Sequence, residues 1–217
     1  SVLYGAEPGP VPAFLDDLAA CGTAWQAVAQ RAELLESGLA GRCLDRSREL
    51  AREIVEHHAG ARDLPGFTFT RGDLPGEIVE KKEWYDNATP AGNSAVVHLF
   101  GVLEALDPGE PRWGQTLGRM KAIYGTYLER VPNGVAHALE GWTFRATGLA
   151  KVTAAPGTDW APLHRTLAER AWRPVFLLPE ADAPDGLQLC VGQQCLPPTG
   201  DAAEVAEQAA PPHTPAG

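Results

Sequence analysis

No Cys-x-x-Cys pair, no basic cluster, no long apolar run and no secretory leader occur in this sequence, and each absence removes a class of function. Lys and Arg number 18 against 28 Asp and Glu, a formal net charge of −10. That balance argues against nucleic acid and anionic membrane as partners, since both are polyanions. No apolar run approaches the roughly 18 residues a spanning helix needs. The opening Ser1-Val2-Leu3-Tyr4 lacks the charged and apolar regions of a leader, so a cytoplasmic location is expected. It also lacks an initiator Met, which points to processing or to a start inside a longer gene. The four cysteines, Cys21, Cys43, Cys190 and Cys195, support neither a thioredoxin-type redox pair nor a four-ligand zinc knuckle. Cys21 and Cys43 read as small buried hydrophobes within helices.

What is present is mostly helical rhythm. At 217 residues the chain can build one good core, or a core with a small appendage. Residues 1–12, rich in Gly and Pro, read as an extended lead-in. Phe14, Leu18, Cys21, Trp25, Val28, Ala32 and Leu35 then recur at steps of three and four, one stripe of a helix about six turns long. Ser37-Gly38 closes it. A second helix over about 39–58 turns Leu44, Ser47, Leu50, Ala51, Ile54 and Val55 inward and is expected to pack back on the first. His57-His58 invites a metal reading, but adjacent helical residues diverge by about 100° and no carboxylate follows at i+4, so no metal is expected.

Residues 67–70 (Phe-Thr-Phe-Thr) alternate like a short strand. A third helix over about 90–106 is apolar on more than one face, which marks it as an inner helix with His98 as a core histidine. A fourth spans about 111–130 and a fifth about 135–147, with Gly148 as the residue just past its end. Beyond Gly148, strands near 150–153, 174–178 and 187–191 flank a helix over 159–171. The expected fold class is therefore mainly α: helical hairpins over 13–148, a small strand–helix–strand appendage over 149–198, and a short helix with a flexible tail over 199–217.

The densest chemistry lies in the run Trp84-Tyr85-Asp86-Asn87-Ala88-Thr89-Pro90-Ala91-Gly92-Asn93-Ser94. Thr89-Pro90 reads as a helix start, with Thr as the cap and Pro at the first helical position. A polar loop delivered onto the positive end of a helix suits an oxygen-rich ligand. The alternative is that Asp86, Asn87 and Thr89 satisfy one another and the first helical N–H groups. Asp16 and Asp17 fall in the first turn of the first helix, where carboxylates favour the helix dipole in any case. Cys190 and Cys195 read as two semi-buried cysteines across a hairpin turn, with a disulfide or half a metal site as alternatives.

Three of these segments occur together elsewhere. Ala13-Phe14-Leu15-Asp16-Asp17-Leu18-Ala19 resembles the "FLDDYA" segment of thioredoxin-domain-containing proteins of the YyaL and spermatogenesis-associated-20 type. Residues 85–94 are similar to that family's "YDNATPSGNS" loop. Residues 189–198, with Cys190, Cys195 and Pro198, are similar to its "VCxxxxCxxP" ending. Leu18 departs from the pattern, where an aromatic is usual. The resemblance implies the C-terminal part of an (α/α)6 toroid like that of N-acylglucosamine 2-epimerases, without the thioredoxin-like domain and the first hairpins.

Two functions follow as expectations. One is action on a carbohydrate, either glycosidase-like, which calls for two carboxylates, or epimerase-like, which calls for a base beside a carbonyl. Asp86, Asp17 and Asp16 are the candidate acids, with His137 as a candidate base. Trp84, Tyr85, Asn87, Thr89 and Asn93 are candidate stacking and hydroxyl-binding groups. No cofactor is implied. The other is a non-catalytic module that completes a toroid with its N-terminal part or with another chain, or associates with itself, because five helices cannot close a six-hairpin ring and leave apolar faces uncovered.

Overall fold

Seven α-helices and six short strands form among the described residues of the computed structural model, which are 3–4, 7–8, 12–60, 64–72, 81–170 and 174–209. The helices are α1 (Leu15–Ala32), α2 (Leu39–His57), α3 (Gly92–Leu106), α4 (Pro111–Arg130), α5 (Ala136–Thr147), α6 (Ala161–Arg170) and α7 (Ala202–Ala209). The strands are β1 (Leu3–Tyr4), β2 (Glu7–Pro8), β3 (Ala150–Ala154), β4 (Val175–Pro179), β5 (Gln188–Val191) and β6 (Gln194–Cys195). The protein is mainly α with a small sheet towards its C-terminal end. No described helix is long and apolar enough to cross a membrane.

The chain divides into two units, Ser1–Ala24 with Arg46–Ala146, and Trp25–Asp45 with Thr147–Gly217. The first is helical and centred on α3, buried almost throughout its first three turns. Leu15 of α1 packs on Gly92 and Leu99 fills the space above Gly22, so α1 and α3 run parallel. His98 lies against Gly141 and Glu104 pairs with Arg145, so α5 runs parallel to α3 as well. The intervening helices run the other way. Ser94 near the start of α3 meets Tyr124 late in α4. Arg48, midway along α2, grips Asp107 beyond the end of α3 through two bonds of 2.8 and 2.6 Å. His58, just past the end of α2, and Asn93 at the start of α3 both bond the backbone at 67–68. The N-terminal ends of α1, α3 and α5 therefore point the same way within this unit.

The second unit is a four-stranded sheet in the order β4-β3-β5-β6. Parallel β3 and β4 are joined through α6, while β3 pairs antiparallel with β5 and β5 with β6. Trp160, Leu163 and Leu167 pack with Val205, Ala206 and Ala209 of α7 over the sheet residues Val152, Val175, Leu177 and Leu189. Leu34 joins the same core, so residues 25–45, expected with the hairpins, fall in the sheet unit. Cys190 and Cys195 are register partners on β5 and β6 and are disulfide-bonded.

Several expectations are corrected. The α1 stripe has the right period and is buried as expected at Leu18 and Ala32, but the centre of the buried face lies one residue on, through Leu15, Ala19, Gly22, Gln26 and Ala29. Trp25 (39% exposed), Val28 (44%) and Cys21 face outward instead. Apolar counting skips Gly22, yet only a glycine lets Leu99 come this close, since a Cβ there would sit 2.9 Å from a Leu99 methyl. The helix also ends at Ala32, leaving Leu35 79% exposed in the turn that leads to Gly38.

Residues 67–70 form no strand, because their backbone is claimed by other partners. The Phe67 N–H donates to Asn93 Oδ1, that of Thr68 to the His58 carbonyl, and the Phe69 carbonyl accepts from Leu15 N–H. The third helix begins at Gly92, two residues after Pro90, and Thr89 does not cap it. In the lead-in, Leu3–Tyr4 pairs with Glu7–Pro8 in a short antiparallel ladder. The rest of 1–11 and the tail 210–217 lie outside the described residues.

Candidate functional site

The run 84–94 folds into a clamp. Ala91, the residue before α3, has no side-chain cap of its own. Asp86 supplies one from five residues upstream, its Oδ1 accepting the Ala91 N–H at 2.9 Å. Its Oδ2 accepts the His137 N–H at 3.0 Å, in the first turn of α5. One carboxylate thus sits at the positive ends of two parallel helices. The Asp86 N–H is itself fixed by the Gly134 carbonyl at 2.7 Å. Both carboxylate oxygens are in use.

Asn93 is saturated as well. It is fully buried, accepts from Phe67 N–H and donates to the carbonyls of Phe67 and Glu83. Trp84 packs edge-on against Tyr124 at 5.3 Å and covers Gly66, where a Cβ would collide with the indole at 2.2 Å. Burial pushes the Tyr124 phenol well above the ordinary tyrosine range, so it stays protonated beside Ser94. Tyr85 lies over Gly134 with part of its ring exposed. Asn87 and Thr89 are exposed at the loop tip, with the Asn87 N–H donating to the Thr89 carbonyl.

Asp17 accepts the N–H of Phe14, the residue preceding α1, and so forms half of a capping box. Asp16 accepts the Asp17 N–H. Neither is hydrogen-bonded to Asp86 among the described residues. The carboxylates of all three aspartates accept backbone N–H groups at or near helix starts. The residue that stands apart is His137, whose ring is stacked parallel on His98, centroids 5.3 Å apart and planes 10° from coplanar.

Glu140, one turn along α5 from His137, faces both rings. Its Oε1 lies 3.8 Å from His98 Nε2 and its Oε2 lies 3.6 Å from His137 Nδ1. Phe144 meets His98 edge-on from the next turn. Burial is the largest influence on His98 and lowers its pKa, the neighbouring His137 adds to this, and Glu140 opposes it. His98 Nδ1 is buried with no hydrogen-bond partner among the described residues. The set His98, His137 and Glu140 brings together an imidazole whose pKa is lowered, a second imidazole within stacking reach and a carboxylate facing both, groups of the kind that can exchange protons. In the sequence Glu140 carries no signal beyond its i+3 spacing from His137, and His98 lies in an apolar run that marks it as a core histidine. No group of three or more metal-ligating side chains is poised for a metal among the described residues. No protein-family model matches the chain, and no curated protein matches it.

His58 shows what a purely structural histidine looks like here. Its Nδ1 lies 2.9 Å from the Thr68 carbonyl and so carries the proton, which leaves Nε2 bare, buried and unpartnered. Burial lowers its pKa below the ordinary 6.5. With the folded value depressed, the unfolded chain binds more protons below about pH 6.5, so stability falls as pH drops through that window and is complete above it. Urea unfolding at pH 7.5 and 5.5 is expected to show this loss, and His58→Gln to show a shallower one. Equal slopes in the two proteins would contradict the assignment.

Proposed function

We propose that the helical unit is the sugar-handling part of a toroid protein of the type its motifs resemble. In this reading it works by proton transfer at His98, His137 and Glu140 and not by paired-carboxylate hydrolysis. The observation that carries it is the stacked imidazole pair sharing one carboxylate, set against three aspartates whose oxygens accept backbone N–H groups. Hydrolysis of a glycosidic bond needs two carboxylates free to act on either side of it. Moving a proton on a carbon next to a carbonyl needs a neutral base near pH 7 and a second group to return the proton, which two imidazoles can supply. Exposed Asn87, Thr89 and the Tyr85 edge lie on the loop that Asp86 ties to the α5 start, and they are suited to polyol hydroxyls.

The test is side-chain NMR of the histidines during titration with neutral mono- and disaccharides. Signals of His98 and His137 are expected to move while that of His164 stays, and His137→Ala is expected to weaken binding at least tenfold. No movement, or binding unchanged in His137→Ala, would refute it. A second reading, a non-catalytic module that associates with another chain or with itself, is favoured by exposed Trp25, Val28 and Leu35. It predicts oligomers, or binding of an N-terminal toroid part, without any sugar response.

A further inference from the structure

On α5, residues two apart point about 200° from one another, so the helix has a second face away from His137 and Glu140. That face, with α4, walls a groove of about 580 Å³. Leu128, Leu139, Trp142 and the flank of Tyr124 make its apolar walls, and Lys121 and Arg145 stand at its rim. The volume is within the range of small-molecule sites, which are typically apolar with a few polar groups that fix orientation.

Two features say what it would hold. First, the floor is open: a Cβ at Gly118 or Gly125 would meet nothing within 4 Å. Gly is otherwise unfavourable within a helix by about 1 kcal/mol relative to Ala. Second, the charge of the rim is opposite to that of the chain. Among the described residues no acidic side chain lines the groove, in a protein of net charge −10. Arg145 is held at Glu104 through its Nε at 2.7 Å and lies 5.5 Å above the Trp142 ring. Lys121 is an exposed residue.

We infer that this groove binds a monocarboxylate with an apolar body, its alkyl or aromatic part laid between Leu128, Leu139 and Trp142 and its carboxylate at Lys121. This site is independent of the imidazole cluster and does not rest on the sugar-handling reading. Apolar walls supply most of the affinity in such a site, and one exposed cation orients the ligand.

The full chain is titrated with dodecanoate by calorimetry, with sedimentation run in parallel. A saturable 1:1 complex is expected. Gly125→Leu fills the groove from a position with free space and is expected to weaken binding at least tenfold with no loss of thermal stability. Lys121→Glu is expected to weaken it by several-fold and to remove its dependence on salt. No saturable binding at millimolar dodecanoate would overturn the proposal, and so would binding within twofold of the native value in Gly125→Leu. A dimer that Gly125→Leu dissociates would place a second copy in the groove and overturn it equally.

Discussion

Gly141→Ala is expected to destabilise the helical unit by about 3 kcal/mol, a loss of roughly 10 °C in Tm for a unit of this size. At the crossing of α3 and α5 the two backbones touch. A Cβ on Gly141 would lie 2.7 Å from His98 N, His98 Cα and the Val97 carbonyl carbon, and a Cβ on Gly101 would lie 2.7 Å from the Gly141 carbonyl oxygen. Nothing flexible can turn aside, so the helices must separate along their length. The separation would also pull His98 from His137 and Glu140, linking the packing defect to the proposed site. The control is Gly125→Ala on α4, whose Cβ meets open space and which is expected to gain up to about 1 kcal/mol. Urea or thermal unfolding separates the two, and a Gly141→Ala protein within about 0.5 kcal/mol of native would contradict the crossing.

Asp86→Ala is expected to cost about 3 kcal/mol as well, for a different reason. It removes two charge-assisted bonds from backbone N–H groups, each typically worth about 1.5 kcal/mol or more. The effect is not local to one helix, because the two N–H groups belong to Ala91 and His137, 46 residues apart along the chain. Exposed Asn87 and Thr89 are the comparison, with alanine there expected within about 0.5 kcal/mol of native. The contrast matters because all three residues are candidate site residues in the sequence, Asp86 as an acid and Asn87 and Thr89 as hydroxyl-binding groups.

Much of the fold is legible because punctuation marks it. Asp107-Pro108-Gly109 and Pro111 frame the turn into α4, and Gly148 takes the positive φ (77°) that a residue past a helix end requires. The sheet unit is legible as short apolar runs between turn residues, down to α7. What is not legible depends on distant partners. The phase of α1 turns on Gly22 accepting Leu99, and the loop at 67–70 turns on Asn93 and His58 claiming its backbone. The same holds at the candidate site. The run 84–94 announces its polarity, but only the fold shows that Asp86 and Asn93 spend theirs on the backbone. His98 is hidden in sequence by its apolar neighbours, and only the parallel packing of α3 and α5 brings it onto His137.

Asp86 is a tie between two helix starts, and the proposed chemistry falls to the imidazoles. Amide hydrogen exchange in Asp86→Ala, compared with the native chain, tests it most directly. The amides of Ala91 and His137 are expected to lose protection together, while those in the middle of α4 keep theirs until global unfolding. Unchanged protection at both amides, accompanied by loss of sugar binding in the same variant, would contradict it and return Asp86 to the ligand.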